Sequence, residues 1–249
     1  MQLRQYTQED IRGKRVILRF DADVTVNQSN MVDEYHDVRL ERVVPTLLEL
    51  FSFGARQVVM IGHRGSPEGR PSPECSLAPV ADRLTELAAA EGLDEPITFI
   101  DDLSVEPTAH ADSDLIMLEN VRFDPGEKAA DSAFALKLAR WGDVYVNDAF
   151  GSSHRAHTSI TLLPRSMGEA FAGPALSREA RELQSFLDSI REPFVAVVGG
   201  AKISTKLPLL SLLARYCQSI LVGGALANTI LASRGIPMGT SLVEEAMLT

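Results

Sequence analysis

Val144-Tyr145-Val146-Asn147-Asp148-Ala149-Phe150-Gly151-Ser152-Ser153-His154-Arg155-Ala156-His157 changes character a few residues in. An unbroken run of β-forming apolar residues gives way to short polar residues, glycine and then basic side chains. A strand buried on both faces of a parallel sheet has this appearance, and the edge beyond its carboxyl end is where such sheets place ligands. Working outward, the same transition recurs. Residues 15–20 run into Asp21-Ala22-Asp23, residues 57–61 into Gly62-His63-Arg64-Gly65-Ser66, and residues 115–119 into Asn120-Val121-Arg122. Residues 97–100, 194–198 and 219–222 complete the set of predicted strands.

Between the strands lie amphipathic stretches over residues 37–51, 77–90 and 131–140, so strand and helix alternate. That order predicts an α/β fold: a doubly wound, Rossmann-like parallel sheet with right-handed crossovers. Residues 177–190 differ. Ser177 is placed to cap a helix in which Leu183, Phe186, Leu187 and Ile190 recur at helical spacing, just before a new strand. The expected organisation is a first domain over 1–171, an interdomain helix and linker over 172–192, and an incomplete second α/β domain over 193–249 with exposed apolar edges.

A net charge of −10 argues against a nucleic-acid surface, which needs a basic face. No apolar run approaches the roughly 18 residues of a membrane span, and residues 1–6 carry no apolar signal core. Cys75 and Cys217 are far apart, suggesting neither a disulfide framework nor a metal site. A cytoplasmic monomer without membrane or nucleic-acid partners is the expectation.

The strand ends gather Arg39, His63, Arg64, Arg122, His154, Arg155 and His157 at one edge of an acidic protein. Singly, each arginine reads as a surface ion-pair partner and each histidine as a packed residue. Jointly they read as a site for phosphate or carboxylate oxygens, which the planar guanidinium fork suits. A second constellation, Val198-Gly199-Gly200-Ala201-Lys202-Ile203-Ser204-Thr205-Lys206, holds two of the chain's five lysines. Bare glycine backbone followed by a helix start suits a phosphate; an exposed helix face carrying two lysines is the plainer alternative. Neither the Walker order nor the Gly-x-Gly-x-x-Gly fingerprint is present. Gly223-Gly224 after residues 219–222 could lie against a flat base.

These stretches resemble the phosphoglycerate kinase family. Arg19-Phe20-Asp21-Ala22-Asp23-Val24, Glu119-Asn120-Val121-Arg122-Phe123, residues 146–157 and residues 199–206 are versions of its motifs, in its order. The resemblance implies reversible phosphoryl transfer between ATP and 3-phosphoglycerate, the acid bound by residues 1–171 and Mg2+-nucleotide by the later half. It implies phosphoglycerate contacts from Asp21, Asp23, Arg39, His63, Arg64, Ser66, Arg122, His154 and Arg155. It gives Arg39 and Lys202 the catalytic neutralisation of the transferring group, and gives Gly200, Ala201, Lys206, Gly223 and Gly224 the nucleotide (ATP or ADP). No residue of this chain is read as a metal ligand; the magnesium-serving segment of the family is not among these residues.

Several positions depart from the family's motifs. Asp23 replaces an asparagine, Thr25 a proline, Ser66 an arginine, Thr205 an aspartate and Ala225 a glycine. These departures predict a weakened acid site. The sequence ends early in the nucleotide half, so the expectation is a piece of a longer product, with a short non-catalytic binder of a phosphorylated metabolite as the alternative.

Overall fold

The computed structural model describes residues 3–27 and 29–248. Its larger sheet contains Arg15–Arg19 (β1), Gln57–Ile61 (β2), Thr98–Ile100 (β3), Leu115–Leu118 (β4), Val144–Asn147 (β5) and Ala170–Ala172 (β6). Their order is β3-β4-β2-β1-β5-β6, with every pairing parallel. β2 to β4 lie on one side of β1, β5 and β6 on the other. The winding therefore reverses between β1 and β5, and a crevice opens beyond the carboxyl ends of strands at such a reversal. Register levels those ends: Arg19 stands opposite both Ile61 and Asn147.

Period-two alternation feeds two cores. Val16, Leu18, Val58, Met60, Leu115, Met117, Val144 and Val146 face one layer, covered by Gln8–Ile11 (α1), Asp37–Glu41 (α2), Val44–Ser52 (α3) and Ala78–Ala90 (α4). Ile17, Val59, Ile61, Ile116, Leu118 and Tyr145 face the other, under Ser132–Ala139 and Thr158–Met167, which are α6 and α7 after the short Pro125–Ala129 (α5).

Three local expectations change. The helix expected over residues 37–51 is two helices, because Pro45 lacks an N–H and is accommodated only in a first turn, here that of α3. β6 was not anticipated: Ala170-Phe171-Ala172 has little β signal, and Ala172 gains a second partner in Gln5. The helix expected from Ser177 is Pro174–Asp188 (α8), opening on Pro174. Ser177 lies inside it, buried, its hydroxyl without a partner among the described residues. The capping acceptor is instead Asp148 at the end of β5, whose Oδ1 takes the Leu176 N–H at 3.0 Å while Oδ2 takes the Thr46 hydroxyl at 2.5 Å.

The chain divides into two compact units, Met1–Glu182 and Leu183–Thr249, the division falling within α8. The second unit has a two-stranded parallel sheet, Val195–Val198 (β7) and Ser219–Val222 (β8), with Leu207–Leu213 (α9) and Gly224–Ser233 (α10). The apolar runs alone suggest strands buried on both faces, but Val197 is 79% and Leu221 57% exposed, since two helices cover little of the sheet; apolar surface is exposed in this unit, as expected of an incomplete domain. No helix among the described residues is long and apolar enough to cross a membrane.

A methyl on Gly173 would lie 2.4 Å from Asp148 Oδ1, and that carboxylate is held by hydrogen bonds from two elements. Gly173→Ala is therefore expected to destabilise the first unit by about 1–3 kcal/mol in urea denaturation. An unchanged midpoint would show that the β5–α8 junction has room to spare.

Candidate functional site

Arg19, the last residue of β1, is 1% exposed, with every guanidinium nitrogen engaged. Nη2 is 2.7 Å from His63 Nδ1, Nε donates to Ser159 Oγ at 3.3 Å, and Nη1 donates to the Phe20 carbonyl. Ser159 in turn donates its hydroxyl to Glu127 Oε1 at 2.6 Å and its N–H to Oε2 at 2.9 Å. His157 Nδ1 approaches Glu127 Oε1 to 3.9 Å.

Above this buried layer the strand-end loops interlock. Asp23 Oδ1 accepts the Gly65 N–H at 2.9 Å, and its Oδ2 is 3.9 Å from His63 Nε2. Arg39 donates to the Asp23 carbonyl at 2.8 Å and lies 3.5 Å from Asp21 Oδ2. Asn120 donates its amide to the carbonyls of Arg64 and Cys75, and its Oδ1 accepts the Arg122 N–H. Arg122, 4% exposed, donates Nη1 to the Gly65 carbonyl at 2.6 Å. Its Nε and Nη2 are buried with no partner among the described residues. Unsatisfied buried donors on a cation are costly, which makes these two nitrogens the candidate contact for an external acceptor.

The structure thus ties Asp21, Asp23, Arg39, His63 and Arg122 into one contact network. Arg155 is exposed, and its charge is the strongest of those that lower the Arg122 pKa, after burial itself. Arg64 is turned elsewhere: it donates to the Ser76 and Glu74 carbonyls and staples the loop that follows β2. Ser66 and His154 are exposed. Arg19, Glu127 and Ser159 were not singled out from sequence. Arg19 at least stood in a quoted strand-end stretch, whereas Glu127 and Ser159 meet across 32 residues with no local signal.

Burial drives the His63 pKa down to about 2, helped by the charges of Arg19, Arg122, Arg155 and His157. Burial also lowers His157, with Arg122 and Arg155 adding to it. Cations mutually depressed in this way are relieved by a bound anion. His63 is neutral, with Nδ1 already occupied, so the arrangement suits binding and positioning rather than proton transfer.

In the second unit Gly200 (φ +149°) and Gly224 (φ +65°) adopt backbone that other residues disfavour, and they adjoin. Gly223 donates to the Val198 carbonyl and Leu226 to that of Gly200, both at 3.0 Å. A methyl on Gly200 would meet Lys206 Cε at 3.7 Å, so the lysine stem lies across this glycine. Ala201 and Lys202 are exposed in irregular chain, and α9 begins only at Leu207. The alternative of two lysines on a helix face therefore falls away. Among the described residues no group of three or more His, Cys, Asp or Glu is placed to hold a metal ion.

The family model described as phosphoglycerate kinase matches residues 6–249. A phosphoglycerate kinase of Rhodopseudomonas palustris is 42% identical over 241 residues, covering 95% of this chain and 58% of its own. That of Chlorobaculum tepidum is 40% identical over 254 residues, covering 100% of this chain and 62% of its own. The solved phosphoglycerate kinase of Coxiella burnetii superposes with a TM-score of 0.73 at 35% identity, over 96% of this chain and 59% of that one. The Pyrococcus horikoshii enzyme gives 0.76 at 26% identity, over 94% and 59%. The chain thus spans about three-fifths of the length of these relatives.

The depressed histidine has a thermodynamic signature. Between its ordinary pKa of 6.5 and about 2, the unfolded chain binds a proton at His63 that the folded chain does not, so stability falls as pH falls through that window. His157 acts in the same sense, whereas Asp148, its pKa raised by burial, acts in the opposite one. The stability difference between wild type and His63→Gln isolates the first contribution. It should shrink by about 1.6 kcal/mol from pH 6.5 to pH 5, the slope approaching roughly 1.4 kcal/mol per unit once the unfolded histidine is fully protonated. A pH-independent difference in urea titrations would mean that folded His63 protonates normally.

Proposed function

The chain belongs to the phosphoglycerate kinase family, and from that premise we propose that it serves reversible phosphoryl transfer between ATP and 3-phosphoglycerate, as a monomer in the cytoplasm. The first unit holds the acid and the second contributes to the nucleotide side. The observation that carries this reading is the pair of buried, unpartnered nitrogens on Arg122. A phosphate or carboxylate supplies the acceptors they lack, and brings charge to a cluster whose cations depress one another.

In this reading Arg122, Arg155 and the His63 Nε2–H bind the acid's oxygens, with Arg39 released from Asp21 to join them. Asp21 and Asp23 orient the substrate's neutral hydroxyl side and the loop. Arg39 and Lys202 neutralise charge on the transferring group, and Lys206 grips a nucleotide phosphate. Gly200, Ala201, Gly223 and Gly224 present bare backbone to the base. Magnesium enters with the nucleotide as substrate. Phosphoryl transfer needs positioning and cationic stabilisation more than covalent chemistry from the protein, and these are what such residues offer.

Asp23 is the unfavourable element. Its Oδ1 caps Gly65, which an asparagine oxygen would do equally well, but its charge faces the acid. Calorimetry with 3-phosphoglycerate should show saturable binding that weakens with salt. Arg122→Ala should weaken it by about 2–5 kcal/mol, and Asp23→Asn should tighten it by about 1 kcal/mol where water fills the gap. Binding indifferent to Arg122→Ala overturns the acid site, and ATP consumption assayed with 3-phosphoglycerate tests the transfer itself.

A further inference from the structure

We propose that Arg19 is a positioning residue: carried by Ser159 and Glu127, it fixes His63 in one tautomer, with the Nε2–H presented to the anion site. The inference rests on reading that site as the seat of the phosphorylated acid. A guanidinium has donors and no acceptor, and it does not give up its proton. At 2.7 Å from Arg19 Nη2, His63 Nδ1 must therefore be the acceptor. A neutral imidazole with Nδ1 accepting carries its hydrogen on Nε2. Protonating the ring would set N–H against N–H. The groups facing His63 act together: Arg19 from β1, Asp23 from the loop after it, Arg122 beyond β4, and Arg155 and His157 before α7. Only Asp23 among them favours a second ring proton.

The support beneath Arg19 is unusually complete. Ser159 Oγ accepts from Arg19 Nε while donating to Glu127 Oε1, so its hydroxyl has one orientation. The Ser159 N–H fixes the other Glu127 oxygen. Neighbouring Thr158 donates its hydroxyl to the Gly126 carbonyl and accepts the Asp131 N–H, both at 2.8 Å, which anchors the first turn of α7. A buried cation is tolerable only when its hydrogen bonds are met, and here a carboxylate stands one hydroxyl away. Lysine at position 19 would offer one point charge where the guanidinium engages three acceptors held in a plane.

The purpose of such a device is to supply a neutral donor. An anion gains from the Nε2–H, and the site gains a hydrogen bond without a further cation beside Arg122 and Arg155. Were the tautomer free, the imidazole would present a lone pair to the ligand for part of the time.

The test uses the whole chain with 15N-labelled histidine. In the wild type, His63 should show Nδ1 as an unprotonated acceptor and Nε2 as protonated, unchanged down to pH 4. Arg19→Met should give mixed tautomers and a ring that titrates above pH 4, and should weaken 3-phosphoglycerate binding about tenfold. Arg19→Lys should restore the Nε2–H form in part. In a His63→Gln background, Arg19→Met should weaken binding less than twofold, because its effect passes through the ring. If Arg19→Met fails to fold, Ser159→Ala replaces it, with the same tautomer mixing expected. A wild-type tautomer that survives these substitutions overturns the proposal, as does an equal affinity loss with and without His63. The tautomer readout needs no ligand. Failure of wild type to bind 3-phosphoglycerate while the tautomer behaves as expected would refute the acid site and leave the Arg19–His63 coupling standing.

Discussion

Arg19 ends the central strand in a place where water does not reach, and burying a guanidinium there commits polar groups from several elements at once. Its Nε takes Ser159 from α7, which commits Glu127 from α5; its Nη2 takes His63 from the exit of β2. These bonds hold the carboxyl ends of β1 and β2 against the start of α7. The apolar layers on either face of the sheet could tolerate small shifts in strand register. The polar layer beyond Arg19 could not, since a displaced partner would leave a buried charge unmet.

The anion cluster rests on that layer and is balanced against local carboxylates. Asp21 and Asp23 occupy Arg39 and cap Gly65, so the loops after β1 and β2 are already shaped before a ligand arrives. Preorganisation of this kind reduces the ordering that binding would otherwise require. The two arginines are engaged differently: Arg39 Nη1 lies between the Asp23 carbonyl and Asp21, whereas Arg122 has two buried donors with no partner among the described residues.

Much of the fold was legible because buried parallel strands leave unbroken apolar runs. The strands at 57–61 and 219–222 coincide with β2 and β8 as read, and the rest differ by a residue or so at an end. What escaped was set by distant partners. β6 is made a strand by its neighbours rather than by its alanines, and α8 starts where Asp148 can cap it rather than where a serine suggested. In the candidate site, residue type at the strand ends drew attention to Arg39, His63 and Arg122, and the family resemblance to Asp21 and Asp23; the structure connects all five. Type could not tell that Arg64 turns to carbonyls of its own loop, nor that Glu127 meets Ser159. Direction of a side chain and pairing across a fold are tertiary properties, invisible to spacing.

α8 joins two mechanical regimes in one helix. Its first turn is gripped by a buried carboxylate and covers Leu176, while Leu183, Phe186 and Leu187 further along are each about half exposed. Amide hydrogens near Leu176 can meet solvent only when the first unit's interior opens. Those beyond Glu182 can do so by fraying. A single stretch of α-helix would then display two opening free energies in hydrogen exchange, with the step falling where the chain passes from one compact unit to the next.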